Sequence, residues 1–261
     1  MSIMDIPYFL IGIISGIASG LFGIGGGMII VPFMLLLGES SQHAVGISVV
    51  QMIFASIFGS YVNYKKKNLN LKDGLIVGLG GLVGAAFSGQ LLRLLSDVSL
   101  TSIFLGVSCA FFLKYAFGIK EHPQQTNISV LAKNIVLLCT GAFTGIFAIS
   151  FGIGGGLLIT PILAYFLGYN SKKVVPVSLF FVIPASFAGT FSFVKSGVID
   201  YSVINSGIIV GIASMIGVFL GIKIIENMKI SSHRKILLCI YVLSISMTTF
   251  SLLRKLGIII I

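Results

Sequence analysis

The chain has 261 residues, of which 56% are hydrophobic and only 9% are charged. Soluble globular domains carry roughly 25% charged residues, so the composition excludes an ordinary soluble domain. Apolar runs long enough to cross a hydrocarbon core of ~30 Å recur along the whole length, and they are continuous rather than alternating, which favours helices over a β-barrel. The sequence therefore predicts a multi-pass helical membrane protein.

The net charge of +10 does not indicate a nucleic-acid partner, because the basic residues sit in short loops between the apolar runs. Basic loops are typical of the cytoplasmic face of a membrane protein. No Lys or Arg precedes Lys65, so we expect no cleaved signal peptide. The expected surroundings are the lipid bilayer of the cell membrane, without nucleic acid.

The predicted elements begin with an apolar arm at 5–22, which closes in a glycine break at 23–27. The return arm at 28–37 is about 15 Å long at helical rise, too short to cross the membrane alone. Three predicted spans and a polar linker complete the first part of the chain. They cover residues 43–64, 71–92, 98–118 and, for the linker, 119–132.

Residues 22–27, Phe-Gly-Ile-Gly-Gly-Gly, return unchanged as residues 151–156. Glycine loses more backbone freedom on ordering than other residues, so each run is expected to interrupt a helix. A new apolar helix follows each run. Its first backbone N–H groups lack intrahelical partners and carry partial positive charge, an arrangement that favours an anion.

The glycine run is one part of an internal repeat. Pro32 and Pro161, and Ser48 and Ser178, recur at nearly the same offset as the glycines. We therefore expect two homologous units joined by a linker. The predicted divisions are a first transmembrane repeat at 1–118, a cytoplasmic linker at 119–132 and a second transmembrane repeat at 133–261.

The distribution of Lys and Arg indicates how the two repeats are oriented. If each glycine unit is a hairpin that returns to its starting face, three crossings follow and the second repeat is inverted. This arrangement gathers most basic residues on one face, whereas a single crossing per glycine unit separates them less well. The predicted fold is an all-α polytopic membrane protein. It consists of two inverted-topology repeats, each a glycine-broken helical hairpin followed by three transmembrane helices.

Inverted repeats with broken helices are typical of secondary transporters, which hold substrate near the middle of the membrane where the repeats meet. The predicted substrate-binding residues are Gly25, Gly26, Gly27, Gly154, Gly155, Gly156, Ser48, Ser178 and Gln51. Two alternatives remain open: the glycines serve close helix packing, and the serines bond carbonyls of their own helix. For Ser56, Ser186 and Thr190 the bond within the helix is the favoured interpretation.

The seven acidic residues all lie at predicted helix ends or in loops, so no buried carboxylate is expected as a proton relay. The sequence also lacks metal-ligand spacing, a nucleophile elbow and a His–carboxylate set within the spans. We therefore expect a protein that is not an enzyme and that uses neither a metal nor a cofactor.

The paired glycine runs are accompanied by residues 44–48 (Ala-Val-Gly-Ile-Ser), by their counterpart 175–179 (Val-Pro-Val-Ser-Leu) and by the loop at 195–201. In these features the chain resembles the TauE/SafE family of sulfite and organosulfonate exporters over essentially its whole length. The resemblance implies a multi-pass inner-membrane permease that handles small sulfur-containing anions.

The expected function is secondary transport, as an exporter, of a small anion such as sulfite or an organosulfonate. The alternative is a passive small-anion channel, against which the sequence counts because no ring of Lys or Arg lies within a predicted span. The expected partner is a small-molecule anion, and a homo-oligomer is compatible with the sequence.

Overall fold

The structure, a computed structural model, describes residues 5–117, 129–169, 171–228 and 230–259. These residues form helices joined by short connections, with no strand among them. The helices are α1 (Asp5–Phe22), α2 (Gly27–Leu36), α3 (Ser41–Lys65), α4 (Leu71–Ala85), α5 (Ser88–Leu94), α6 (Asp97–Ala116), α7 (Val130–Ser150), α8 (Gly156–Leu167), α9 (Ser171–Lys195), α10 (Tyr201–Asn227) and α11 (Ile230–Lys255). Most of the expected linker, 119–128, lies outside the described residues, and α7 begins at Val130.

Seven segments of the described residues are long and apolar enough to cross a membrane. They are α3, α4 with α5, α6, α7, α9, α10 and α11, whereas α1, α2 and α8 are shorter apolar helices. On α10 the large apolar side chains of Ile208, Ile212 and Ile216 are exposed at four-residue spacing. This spacing places them on one helix face, which suits contact with lipid. The predicted multi-pass helical architecture is confirmed.

The predicted span at 71–92 is divided into α4 and α5 at Ala86 and Phe87. Ser192 of α9 stabilises the division, because its hydroxyl donates to the Ala86 carbonyl (2.7 Å) and accepts from the Gly89 amide (3.0 Å). A side chain from another helix thereby satisfies two backbone groups at the interruption. The local sequence did not predict the break, because the stabilising residue lies on a different helix.

Helices α1, α3 and α10 run in the same direction. Their contacts show this direction. In each pair of helices, a glycine further along one helix lies against a residue further along the other, as judged by the position that a Cβ on the glycine would take. The contacts are Gly12–Val210 and Gly20–Val218 for α1 with α10, and Gly46–Val203 and Gly59–Val218 for α3 with α10. Since α1 and α3 share a direction, the short α2 between them carries the chain back toward the face from which α1 began.

Helices α4, α7 and α9 form a second parallel set. The contacts are Gly80–Leu138 and Gly84–Ala142 for α4 with α7, and Gly74–Phe180 and Gly89–Ser192 for α4–α5 with α9. The two sets run in opposite directions, because Gly59 of α3 approaches Leu179 of α9 whereas Gly189 of α9 approaches Val49 of α3. Helix α8 therefore returns the chain between α7 and α9, as α2 does between α1 and α3.

Candidate functional site

The two predicted helix interruptions are present. We call residues 23–27 the first glycine segment and residues 152–156 the second. Both segments are entirely buried. In the first, Gly25 and Gly26 have φ angles of 69° and 88°, in the left-handed region that glycine adopts without strain. In the second, Gly154 is left-handed (φ 80°), whereas Gly155 has an ordinary helical φ of −74°.

The two glycine segments pack directly against each other, backbone to backbone. A Cβ on Gly27 would lie 1.5 Å from the Gly152 carbonyl oxygen, and one on Gly156 would lie 2.6 Å from that of Gly23. A Cβ on Gly154 would lie 2.0 Å from the Ile24 carbonyl oxygen. The segments thus run antiparallel, and a side chain at any of these three glycines would collide with backbone atoms.

Several backbone amides in the two segments have no acceptor among the described residues. The carbonyls of Gly26 and Gly155 accept from residues in the first turns of α2 and α8. No described backbone or side-chain atom accepts from the amides of residues 25–27 or 154–156. Each helix start therefore offers unpaired N–H donors in a buried position, where the partial positive charge of the helix terminus is little screened.

Two repeat-related serines each bond the glycine segment of the opposite repeat. Ser48 Oγ donates to the Gly152 carbonyl (2.8 Å), and Ser178 Oγ donates to the Gly23 carbonyl (2.9 Å). Each serine lies about two turns into α3 or α9, and these antiparallel helices begin at opposite faces. The hydroxyls therefore hold the pair of glycine segments from both sides. Because each hydroxyl has one proton, which it gives to a carbonyl, this conformation leaves it no proton for a ligand.

The position three residues after these serines differs between the repeats. Gln51 of α3 is fully buried, and neither its Oε1 nor its Nε2 has a hydrogen-bond partner among the described residues. Its Nε2 lies 3.2 Å from the position of a Cβ on Gly26. The corresponding residue of α9 is Phe181, whose ring lies 2.5 Å from a Cβ position on Gly155. An unpaired amide thus borders one glycine segment and an aromatic ring borders the other.

The sequence also predicted that the hydroxyls of Ser56, Ser186 and Thr190 bond carbonyls of their own helix, and the outcomes differ. Ser56 and Ser186 donate to carbonyls three residues earlier, Ile53 and Ile183, so the predicted bond within the helix is confirmed. The prediction is wrong for Thr190, whose buried Oγ1 has no partner among the described residues. Thr190 therefore makes no hydrogen bond within its helix.

Ser15 and Thr144 were not among the site residues predicted from the sequence. The Ser15 carbonyl oxygen lies 3.1 Å from a Cβ position on Gly26. Thr144 is fully buried, and its hydroxyl has no partner among the described residues. Each lies just before a Gly-Ile pair at an equivalent place in the repeat, and this is the signal by which the sequence identifies them as related.

Asp73 corrects the expectation that no carboxylate is buried. It lies in the first turn of α4, at a helix end as predicted, yet its side chain is only 3% exposed. Lys133 of α7 forms an ion pair with it (2.7 Å), and the hydroxyl of Tyr169 and the amide of Asn70 donate to it. Burial raises the pKa of Tyr169, and the hydrogen bond to Asp73 raises it further. The phenol therefore keeps its proton and its bond to the carboxylate at neutral pH.

The architecture and the buried, paired helix interruptions define a multi-pass membrane protein of the transporter class. The family model described as "Sulfite exporter TauE/SafE" matches residues 8–248. The chain therefore belongs to the TauE/SafE family of membrane transporters, and it is a multi-pass protein of the cell membrane.

Curated relatives agree with this assignment. The chain is 31% identical over 244 residues to a probable membrane transporter protein of Methanocaldococcus jannaschii, covering 88% of this chain and 89% of the relative. It is 30% identical over 220 residues to the probable membrane transporter protein YdhB of Bacillus subtilis, covering 82% and 87%. A probable membrane transporter protein of Haemophilus influenzae is 30% identical over 200 residues, covering 72% and 73%.

Proposed function

We propose that this protein is a secondary transporter that exports small sulfur-containing anions, such as sulfite or an organosulfonate. The observation that carries the proposal is the unpaired amide of Gln51 beside glycine segments whose own backbone N–H groups lack acceptors. A buried donor without a partner costs roughly 1–3 kcal/mol. An anion that accepts several of these donors at once would recover that free energy. The donors thus favour binding of an oxyanion.

The helix directions support two inverted-topology repeats. Helices α1 and α7, α3 and α9, and α4 and α10 occupy equivalent places in the two halves of the sequence. In each pair the two members belong to oppositely directed sets. The reciprocal bonds of Ser48 and Ser178 also suit a pseudo-two-fold axis passing between the glycine segments. In transporters with such symmetry the substrate binds near the axis, at the middle of the membrane.

In this proposal the transport cycle is alternating access. The residues of both glycine segments are buried, so an anion reaches the Gln51 amide only when the hairpins α1–α2 and α7–α8 separate from α3 and α9. Ser48 and Ser178 act as positioning residues, because their hydrogen bonds hold each glycine segment in a fixed position against a helix of the opposite repeat. A permanently open pore does not require such closure. Burial at this point therefore favours a carrier over the passive channel.

The sulfur-anion assignment draws on the description of the family as sulfite exporters. A pyramidal or tetrahedral oxyanion presents several oxygens to amides that approach from opposite sides. Gln51 supplies both a donor and an acceptor, which suits an anion that carries a proton as well as one that does not. A carboxylate, with two oxygens in one plane, would engage fewer of these donors at once.

The test is transport by purified protein reconstituted in liposomes, with radiolabelled sulfite as the probe. We expect saturable uptake that unlabelled internal sulfite accelerates, whereas linear flux without this counter-flow would indicate a channel. Gly26→Val and Gly155→Val should each abolish uptake while the protein still inserts into membranes. Gly106→Val is the matched control, because a Cβ on Gly106 meets no atom within 4 Å. Wild-type uptake by either segment variant would contradict the proposal.

A further inference from the structure

A polar pocket opens where the loop after α3, the start of α4 and the connection from α8 to α9 meet. Its volume is about 300 Å³, enough for a small hydrated anion, and its lining includes Lys67, Asn68, Lys173 and Val177. Lys67, Asn68 and Lys173 are exposed. The pocket lies on the face that also holds Lys65, the face that the positive-inside pattern assigns to the cytoplasm.

The charge of this pocket is positive despite the carboxylate in its wall. Asp73 lines the pocket, but it is already ion-paired with Lys133 and hydrogen-bonded by Tyr169. Lys67 adds a further positive charge at the rim. The pocket therefore attracts small anions and repels small cations.

The backbone at Lys67 is in the left-handed region, with φ 57°, the one non-glycine residue of the described chain with a positive φ. The equivalent loop of the second repeat has Gly197 in the same conformation, with φ 66°. Glycine adopts this conformation without strain, whereas a residue with a Cβ does not. A lysine thus occupies a position where glycine would be less strained. Backbone strain of this kind points to a function for the side chain.

The pocket lies next to the glycine segments along the chain. Val177 forms part of its wall, and the following residue, Ser178, bonds the Gly23 carbonyl. The repeat-equivalent region at the opposite face is closed by apolar side chains. There Val198, Ile199 and Val203 are buried, and Ile199 packs against Gly46. The two faces thus differ, with a basic polar pocket at one and an apolar plug at the other.

We propose that this pocket is the loading site of the cytoplasmic face, where Lys67 concentrates a small oxyanion before it passes Val177 to the glycine segments. The loading role rests on the proposed function, whereas anion attraction by the pocket does not. The apolar plug gives the opposite face no equivalent loading site. Replacement of Lys67 therefore lowers apparent affinity from the cytoplasmic side alone.

The first test measures anion attraction without relying on transport. Cys109, Cys139 and Cys239 are replaced by alanine, and Asn68→Cys is introduced at the exposed pocket rim. The full-length protein in detergent is then modified by an anionic methanethiosulfonate sulfonate and by a cationic methanethiosulfonate ammonium of similar size. One lysine a few ångströms away changes the local concentration of either reagent roughly twofold, in opposite directions. Adding Lys67→Gly should therefore lower the anion-to-cation rate ratio about fourfold.

The matched control is Lys65→Ala, which removes one charge from the same loop at a residue whose ammonium packs on Tyr61 outside the pocket. We expect the rate ratio to change much less in this variant. Lys67→Gly also relieves the backbone at φ 57°, so its thermal stability should equal or exceed that of the parent. A rate ratio unchanged by Lys67→Gly, or lowered equally by Lys65→Ala, would overturn the proposal.

The second test uses sulfite uptake into inside-out and right-side-out membrane vesicles. Lys67→Gly should raise KM about twofold in the inside-out vesicles, where the cytoplasmic face is outermost, and leave kcat unchanged. KM measured from the other face should stay the same. A lowered rate ratio with unchanged KM would overturn the loading role. If the parent moves no sulfite while the rate ratio still falls, the pocket attracts anions as proposed and the sulfur-anion function fails.

Discussion

The two glycine segments have the same six-residue sequence but different surroundings. Gly26 has a left-handed backbone and borders the unpaired amide of Gln51. Gly155 has a helical backbone and borders the ring of Phe181. The backbone contacts and the serine bonds are shared by both repeats. The features that the two repeats share thus determine how the segments pack against each other. Positions 51 and 181, where the repeats differ, place a polar side chain beside only one of the segments.

The largest effect is expected from the contact that both segments share. Gly27→Ala would place a Cβ 1.5 Å from the Gly152 carbonyl oxygen, and neither backbone can yield without moving a helix start. We expect a severe loss of folded protein, measured as monodisperse yield by size-exclusion chromatography and as thermal stability. Gly106→Ala, in open space, should instead stabilise its helix by about 0.5–1 kcal/mol. Equal stability of the two variants would contradict the backbone contact.

The difference in backbone conformation is tested by rescue. Gly155→Ala collides with the Phe181 ring but keeps an allowed φ, so adding Phe181→Leu should restore stability and uptake. Gly26→Ala is strained by its φ of 88° whatever its neighbours, so adding Gln51→Ala should not restore it. Thermal melting and sulfite uptake of all four proteins provide the measurement. Rescue of the Gly26 variant would show that side-chain space, and not backbone conformation, limits that position.

The chemical difference is tested by removing one neighbour of each segment. Gln51→Leu should lower kcat/KM about 10- to 100-fold, because a hydrogen bond to an ion is worth roughly 1.5–3 kcal/mol. Its stability should be equal or higher, since a buried unpaired amide is lost. Phe181→Leu should cost about 1 kcal/mol of stability with a much smaller change in kcat/KM. The opposite pattern would show that the substrate chemistry belongs to the second glycine segment and not to the first.

The smallest effects are expected at the two serines. Ser48→Ala and Ser178→Ala each remove one hydrogen bond to a buried carbonyl, at 2.8 and 2.9 Å. Each should cost about 1 kcal/mol of stability, and the two losses should be similar because the bonds are reciprocal. Chemical denaturation under matched detergent conditions gives the comparison. A loss confined to one serine would show that the segments are not held equivalently.

The sequence predicted features that depend on local patterns. Continuous apolar runs predicted the spans, and the consecutive glycines predicted both helix interruptions. Other features depend on residues distant in sequence. The division of α4 from α5 requires Ser192, and the burial of Asp73 depends on Lys133 and Tyr169. No local pattern identifies such partners, because they meet only after the helices pack.

The contacts of the candidate site likewise could be predicted only in part from the sequence. The repeat identified the glycines, Ser48 and Ser178 as related pairs, but it did not show that each serine bonds the opposite repeat. Gln51 was recognisable as a polar side chain within a span, and its lack of a partner appears only in the packed structure. The conformational difference between Gly26 and Gly155 likewise cannot be read from two identical stretches of sequence.

The most direct test is a crystal structure of the full-length protein co-crystallised with selenite, whose selenium atom marks the anion by anomalous scattering. We expect a single strong anomalous peak beside the two glycine segments, within about 4 Å of Gln51 Nε2, a distance set by hydrogen-bond lengths. The peak should disappear in Gln51→Leu crystals. Selenite bound elsewhere in the membrane region, with the segments unoccupied in a protein that transports sulfite, would contradict the account.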